Sequence, residues 1–178
     1  MPNVLGRPLK IAHRGGTGLW PENTMGGFER AIADGAEGIE LDVHLSKDGV
    51  PVVHHDEALK PAIARGADGE WITKPRPRIK DLTFEELQAY DIGRLKPGAG
   101  YSARYPDQAP LDGERIPSLE AVIDLVTAKA GPDFVVYTEL KTDLMDLTQS
   151  SDPVTLANTV VDLIEQKGFG AQTVFVSF

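Results

Sequence analysis

Acidic and imidazole side chains share one face of an alternating segment in the first third of the chain. Residues 39–45 read Ile-Glu-Leu-Asp-Val-His-Leu, a strict alternation of apolar and polar residues. Because successive side chains of a β-strand point to opposite faces, Glu40, Asp42 and His44 would share a face. Two carboxylates at this spacing can both reach a hard cation, which prefers oxygen ligands. A half-exposed surface strand has the same pattern, so the segment alone leaves both interpretations open.

A histidine, an arginine and two glycines follow one another at residues 13–16. Arg14 can bind phosphate oxygens through two parallel hydrogen bonds. The two glycines would let a ligand approach the backbone closely. A histidine at a strand end is more often structural than catalytic, but beside these residues His13 is a candidate acid or base.

The sequence predicts a β-hairpin directly after the alternating segment. Asp-Gly at 48–49 separates two apolar runs, which is a strong signal for a two-residue turn. The connection is too short for a parallel crossover, so an antiparallel strand is expected. With this turn, Asp42 would lie directly opposite His55, beside the carboxylates. His54 would then face the other way, in a structural role.

Four further polar residues suit the same chemistry. Glu139 and Lys141 share a face near the end of a later apolar segment, where a carboxylate suits a metal ion and an ammonium group suits a phosphate. A surface ion pair explains these two residues equally well. Glu22 and Asn23 precede the first predicted helix and could contact a ligand or fix the loop, and the structural role is favoured.

Taken together, these residues meet the requirements of phosphodiester hydrolysis. The set contains two histidines, three carboxylates, one arginine and one lysine, all at predicted strand ends. A divalent cation can neutralise charge on the non-bridging phosphate oxygens. Two imidazoles can act as general base and general acid, because their pKa values lie near neutral pH.

Strands and helices alternate along most of the chain. Strands are predicted at residues 9–13, 39–45, 134–140 and 173–178. Helices are predicted at 24–34, 118–130 and 152–167, with Thr24, Ser118 and Asp152 as caps. Such alternation indicates a mainly parallel sheet, as an open doubly wound sheet or a closed (β/α)8 barrel. No dinucleotide-binding glycine pattern follows the first strand, and chemistry at strand ends favours the barrel.

Residues 57–117 interrupt this alternation with a proline-rich stretch. Thr83 and Glu86 form a capping box there, and Leu82 with Leu87 can form a hydrophobic staple, so one helix is expected inside. We predict an insertion within a single domain of residues 1–178, lying over one end of the fold as a binding loop or lid.

Composition and charge restrict the classes of protein to which the chain can belong. The chain has 178 residues, of which 41% are hydrophobic, enough for one domain with a sizeable core. The net charge of −9 argues against nucleic acid as a partner. No apolar run approaches a bilayer span and no apolar signal region is visible, so no membrane insertion and a cytoplasmic location are expected. The absence of cysteine excludes disulfides and thiolate metal sites.

The motifs resemble those of the glycerophosphodiester phosphodiesterase family. The matching strings are HRGG at 13–16, PENT at 21–24, GIELDVHLSKDGVPVVHHD at 38–56 and ELK at 139–141. Their order and spacing match as well. The resemblance extends through the insertion to the Ser-Phe end of the chain.

The resemblance implies a TIM-type (β/α)8 barrel that hydrolyses glycerophosphodiesters to an alcohol and glycerol 3-phosphate. It also implies one divalent cation, Ca²⁺ or Mg²⁺, held by Glu40, Asp42 and Glu139. The substrate would be a small glycerophosphodiester.

The same resemblance implies roles for the basic residues. His13 and His55 would be the acid–base pair, with proton abstraction provisionally given to His55 and protonation of the leaving group to His13. Arg14 and Lys141 would contact the phosphate. His44 stands where the family often has a small or amide side chain, and it receives no role.

The number of predicted strands differs from that of the family. Five strand signals are present, whereas a closed barrel needs eight. We therefore expect an incomplete barrel that self-associates through exposed sheet edges. Two alternatives to the enzyme stay open: an inactive fragment that at most binds metal or phosphate, and a related lysophospholipase D-like lipid phosphodiesterase. No apolar interfacial helix supports the latter.

Overall fold

The computed structural model describes residues 7–143, 146 and 148–176. The strands are β1 (Ile11–Ala12), β2 (Gly38–Leu45), β3 (Pro51–Val53), β4 (Val135–Leu140) and β5 (Thr173–Val176). The helices are α1 (Met25–Ala33), α2 (Phe84–Leu87), α3 (Leu119–Lys129) and α4 (Pro153–Gln166). The predicted strands and helices are all present, although residues 177–178 of the last predicted strand lie outside the described residues.

Four of the strands form a parallel sheet in the order β1-β2-β4-β5. In the register of β2 and β4, Asp42 is paired with Glu139 and Glu40 with Tyr137. The carboxyl ends of these strands therefore lie at the same edge of the sheet, where the predicted chemical residues are concentrated. The described part of the sheet does not close on itself, since β1 and β5 lie at its two ends.

The predicted antiparallel hairpin is present, but its predicted register is wrong by one residue. β3 pairs with β2 so that Val43 faces Val53, and the next ladder hydrogen bond runs from His54 N–H to the Asp42 carbonyl at 2.9 Å. Asp42 is therefore beside His54, not His55. The cause is a three-residue loop, which ends at Gly49 with φ of 80°.

Side chains and glycine define the ends of the helices as predicted. Thr24, Ser118 and Asp152 each accept a hydrogen bond from the backbone N–H three residues later. α1 ends at Ala33, and Gly35 just beyond it adopts φ of 79°, so that the following residue, Ala36, donates its N–H to the Ala31 carbonyl. These local interactions fix where each helix starts and stops.

The main core lies between one face of the sheet and helices α1, α3 and α4. It is built around the apolar residues of β2, with Ile39, Leu41 and Val43 fully buried. α3 contributes four buried side chains to it: Leu119, Val122, Ile123 and Val126. Because this apolar face is fixed by the core, the polar face of β2 is directed to the opposite side of the sheet.

A second, smaller hydrophobic cluster combines residues of the 57–117 segment with Val52 of β3. It contains Val52, Leu59, Ala64, Ile79, Leu87, Ile92 and Ile116. The predicted capping box of α2 is present, with Thr83 and Glu86 bonding to each other's backbone N–H. This segment contacts the loops that follow β1, since Ala109 N–H donates to the Leu19 carbonyl and Tyr101 hydroxyl donates to Glu22. Among the described residues, no helix is long and apolar enough to span a bilayer.

Candidate active site

Three carboxylates meet at the carboxyl ends of β2 and β4. One oxygen from each of Glu40, Asp42 and Glu139 lies within 4.8 Å of an oxygen from the other two. The sheet brings them together, because Asp42 and Glu139 are paired across β2 and β4 and Glu40 lies two residues earlier on the same face. The Asp42 side chain is fully buried, whereas Glu40 and Glu139 are each 14% exposed.

The cluster carries more negative charge than its setting readily accepts. Burial and the neighbouring Asp42 carboxylate raise the pKa of Glu40 to about 7. Burial alone would also raise the pKa of Asp42, but the hydrogen bond from Asn23 and nearby positive charges lower it. At neutral pH, Asp42 is therefore ionised while Glu40 is partly protonated. Additional positive charge at this position would favour the ionised form of Glu40.

Lys141 supplies one positive charge to the cluster. Its Nζ lies 2.8 Å from Glu139 Oε1 and 3.5 Å from Asp42 Oδ1. Burial opposes the charged form, but these carboxylates raise the pKa of Lys141 overall. Among the described residues, the buried Asp42 Oδ1 has no well-formed hydrogen bond. This oxygen is therefore available as a ligand for a metal cation.

The loop after β1 places a second cation beside the same carboxylates. The chain turns sharply at Arg14, with φ of 51°, and the Arg14 backbone N–H donates to Glu40 Oε2 at 2.9 Å. Arg14 Nε lies 3.3 Å from Asp42 Oδ2, and Nη1 lies 3.5 Å from Glu22 Oε1. Gly15 is required for this turn, since a Cβ there would lie 2.8 Å from the ring of Phe28. The guanidinium is thus held close to the carboxylate cluster.

His13 stands at the open side of the carboxylate cluster. Its Nε2 lies 3.8 Å from Glu40 Oε2, and its side chain is 63% exposed. Burial of the ring, aided by the charge of Arg14, lowers the pKa of His13. An imidazole that is neutral and accessible near neutral pH can exchange a proton with a bound ligand.

His55 follows directly after β3 and is oriented by its neighbour. Its Nδ1 lies 2.7 Å from Asp56 Oδ1, and its side chain is 28% exposed. The proximity of the His55 ring is a lesser contribution to the lowered pKa of Asp42, after the Asn23 hydrogen bond, and to that of His13, after burial and Arg14. His44 is buried and donates from Nε2 to the His55 carbonyl at 3.2 Å, and burial lowers the pKa of His44 to about 4.

Glu22 and Asn23 contact the residues of the site. Asn23 donates from Nδ2 to Asp42 Oδ2 at 2.9 Å, and Glu22 lies between Arg14 and the Tyr101 hydroxyl. Both side chains are at least 95% buried. Their contacts fit the predicted role of fixing the loop.

The structure brings the seven predicted site residues to one end of the sheet. His54 is buried, and its Nδ1 donates to the Asp56 carbonyl at 2.9 Å, as suits a structural residue. Three contacting residues were not identified from the sequence: Asp56, Lys60 and Tyr101. Asp56 carried a usable signal, because it directly follows His55. Lys60 and Tyr101 come from the irregular segment, where no periodic pattern places them.

Comparison with known proteins identifies the family. The model described as the glycerophosphoryl diester phosphodiesterase family matches residues 13–178. The chain belongs to this family. A glycerophosphodiester phosphodiesterase from Caldanaerobacter subterraneus subsp. tengcongensis is 40% identical over 139 residues, which are 78% of this chain and 47% of that protein.

Solved structures of glycerophosphodiester phosphodiesterases have a similar fold over the aligned residues. One from Silicibacter pomeroyi DSS-3, designated a glycerophosphoryl diester phosphodiesterase, aligns with a TM-score of 0.88 at 33% identity, covering 97% of this chain and 59% of that one. An Oleispira antarctica phosphodiesterase in complex with the product sn-glycerol-3-phosphate aligns with a TM-score of 0.63 at 26% identity, covering 96% and 57%. The predicted TIM-barrel class is confirmed, and the five described strands form part of a barrel that does not close. The chain spans about half the length of the curated relatives it matches.

Proposed function

We propose that this chain carries the catalytic end of a metal-dependent glycerophosphodiester phosphodiesterase, which hydrolyses glycerophosphodiesters to an alcohol and glycerol 3-phosphate. The observation that carries the proposal is the meeting of Glu40, Asp42 and Glu139 at one strand edge, flanked by His13 and His55. Family membership and the product bound to the Oleispira antarctica relative support the substrate class. Because the chain spans about half of its relatives, its own activity is part of the proposal.

The residues present fit a divalent cation. Three carboxylates supply hard oxygen ligands, and the buried Asp42 Oδ1 has no well-formed hydrogen bond among the described residues. Burial and the neighbouring Asp42 carboxylate raise the pKa of Glu40, and a bound cation would favour its ionised form. We therefore assign Glu40, Asp42 and Glu139 as ligands of Ca²⁺ or Mg²⁺. When bound, the ion would neutralise charge on the phosphate.

The basic residues divide the remaining tasks between binding and proton transfer. Arg14 and Lys141 supply positive charge to the phosphate oxygens. His55 takes a proton from the attacking hydroxyl group, whether it belongs to water or to the substrate. His13, in its protonated form, gives a proton to the departing alcohol oxygen, and the exposure of its side chain suits contact with a leaving group.

Turnover measured with and without metal tests the proposal. We expect glycerol 3-phosphate to be released from glycerophosphocholine only when a divalent cation is present. Glu40→Gln should reduce kcat/KM by more than about 100-fold, because it removes a charged ligand. His13→Gln and His55→Gln should each reduce kcat by about 100- to 10,000-fold. Glu29→Gln, an exposed acid on α1, is the matched control and should leave turnover unchanged.

Calorimetric titration with Mg²⁺ and Ca²⁺ separates the enzyme from the inactive alternative. Metal binding that is lost in Glu40→Gln, accompanied by turnover, supports the proposal. Metal binding without turnover would favour a chain that binds the ion but does not catalyse the reaction. EDTA-insensitive turnover, or full activity in Glu40→Gln, would overturn the metal role.

A further inference from the structure

The carboxylate of Asp56 is bonded to the imidazole of His55. The Oδ1–Nδ1 distance is 2.7 Å, and the Asp56 side chain is 19% exposed. A carboxylate can only accept a hydrogen bond, so His55 must carry its proton on Nδ1 when the ring is neutral. This leaves the Nε2 lone pair on the other side of the ring, free to accept a proton.

Two cations from the 57–117 segment surround Asp56. Lys60 Nζ lies 3.2 Å from Asp56 Oδ1, and Arg76 Nη1 lies 3.9 Å from Asp56 Oδ2. Lys60 is itself held over the ring of Tyr101, with its Nζ 4.2 Å from the ring centroid. The irregular segment thus supplies the positive charge that keeps Asp56 in place beside His55.

The backbone around this pair is also fixed. His44 donates from Nε2 to the His55 carbonyl at 3.2 Å, and His54 donates from Nδ1 to the Asp56 carbonyl at 2.9 Å. His44 and His54 are both buried. The peptide groups on either side of Asp56 therefore have little freedom to rotate, and the imidazole direction of His55 is set by its bond to Asp56.

We infer that Asp56 is a positioning residue, which holds His55 in the Nδ1–H tautomer with Nε2 directed at the reaction centre, and that Lys60 acts through it. The inference rests on the proposed function, in which His55 accepts a proton. When Nε2 takes that proton from the attacking hydroxyl group, the ring becomes an imidazolium ion with a proton on each nitrogen. Asp56 remains ionised throughout and stabilises this cation.

Nitrogen-15 NMR of the histidine rings tests the inference without requiring turnover. In the wild-type chain, at a pH where the rings are neutral, we expect the His55 Nδ1 signal at the protonated position and Nε2 at the unprotonated position. Replacement of each histidine by glutamine in turn assigns the four rings. In Asp56→Ala, we expect the His55 signals to move toward the Nε2–H tautomer or toward a mixture of both.

Kinetics give the second measurement. Asp56→Ala should lower kcat for a glycerophosphodiester by about 100-fold, with KM changed by less than about 3-fold, because the proton acceptor and not the binding site is affected. Asp56→Glu should recover part of the lost rate, and Lys60→Met should give a smaller loss in the same direction. Asp107→Ala, an exposed acid in the same segment, is the control and should change neither measurement.

The outcomes separate this inference from the proposed function. A wild-type chain without turnover, but with His55 in the Nδ1–H tautomer that Asp56→Ala abolishes, would contradict the function and retain the positioning role. A wild-type His55 in the Nε2–H tautomer would overturn the inference. It would also be overturned if Asp56→Ala, shown to be folded by its urea transition, kept both the tautomer and the wild-type kcat. Lys60→Met leaves Asp56 intact and serves as the test if Asp56→Ala does not fold.

Discussion

Asp42 is the residue on which the local structure of the site depends. It is fully buried and contacts Asn23, Arg14 and Lys141 through its two oxygens. Arg14 and Asn23 both have positive φ, of 51° and 55°, which non-glycine residues rarely adopt. Their backbones are also joined, because Asn23 N–H donates to the Arg14 carbonyl at 2.9 Å. Contacts with a buried carboxylate thus hold two unfavourable backbone conformations in place.

Replacement of Asn23 by alanine should destabilise the fold. The change removes the hydrogen bond to Asp42 Oδ2. It also places alanine at φ of 55°, a conformation that asparagine tolerates better because its polar side chain can form local hydrogen bonds. We expect the free energy of unfolding to fall by about 3 kcal/mol, since a buried charged acceptor loses a donor and the backbone is strained. Urea denaturation monitored by circular dichroism measures this change.

Asn23→Gly is the control that separates the two effects. Glycine adopts positive φ readily, so the backbone term disappears while the lost hydrogen bond remains. We expect Asn23→Gly to lie between the wild-type chain and Asn23→Ala in stability. A glycine variant less stable than the alanine variant would show that the positive φ is not a source of strain.

At the scale of elements, the hairpin between β2 and β3 shows why a local signal can misplace a register. The Asp-Gly pair suggested a two-residue turn, but Ser46 changes the loop. Its backbone carbonyl accepts from Gly49 N–H at 3.0 Å, while its hydroxyl oxygen accepts from Val50 N–H at 2.9 Å. The side chain therefore replaces a backbone acceptor and allows a third loop residue. His55 still reaches the site because β3 ends at Val53 and regular alternation stops there.

Ser46→Ala should weaken this hairpin. Loss of the hydroxyl leaves Val50 N–H without its acceptor, so we expect a loss of about 1–2 kcal/mol in unfolding free energy and faster hydrogen exchange at Val50. Ser151→Ala is a suitable control, because its hydroxyl lies 3.5 Å from the Leu45 carbonyl, at the limit of a hydrogen bond. Equal stability of the Ser46→Ala and wild-type chains would contradict the role given to the serine hydroxyl.

Elements were predictable where the signal was local. The caps at Thr24, Ser118 and Asp152 and the capping box at Thr83 depend on residues three positions apart, and the structure contains all four. The contact between Tyr101 and Glu22 joins residues that are 79 positions apart, and Tyr101 lies in the irregular segment, where no periodic pattern predicts it. The carboxylate cluster was predictable only in part from the sequence. Strand alternation indicated the shared face, but only the pairing of β2 with β4 brings Glu139 to Asp42. That the 57–117 segment is an insertion remains a prediction.

At the scale of the whole molecule, the candidate site lies on the inner strands of the sheet, away from the sheet's unpaired edges. Glu40, Asp42 and Glu139 lie on β2 and β4, the two inner strands of the parallel sheet. In the described residues, the strands at the ends of this sheet are β1 and β5, and each has one edge without a partner strand. The carboxylate cluster therefore has a paired strand on both sides, while the unpaired edges belong to strands that carry none of the proposed metal ligands.

The outer strand β5 exposes a side chain that continues the core-facing row of the sheet. Phe175 is paired with Thr138, which is paired with the buried Leu41. Phe175 nevertheless is 47% exposed. An apolar side chain beside an unpaired strand edge is a site for association with another chain.

We therefore expect the 178-residue chain, studied alone, to self-associate through this edge. Its weight-average sedimentation coefficient should rise with protein concentration, and Phe175→Lys should shift the transition to at least about 10-fold higher concentration, because a charge on an edge strand opposes pairing. Val154→Lys replaces another exposed apolar residue, 65% exposed in the first turn of α4, and should leave the transition unchanged. A chain that sediments as a monomer at all concentrations, or equal effects of the two lysine substitutions, would show that the β5 edge does not drive association. Because the proposed metal ligands lie on inner strands, Mg²⁺ binding measured by calorimetry should be the same in Phe175→Lys as in the wild-type chain.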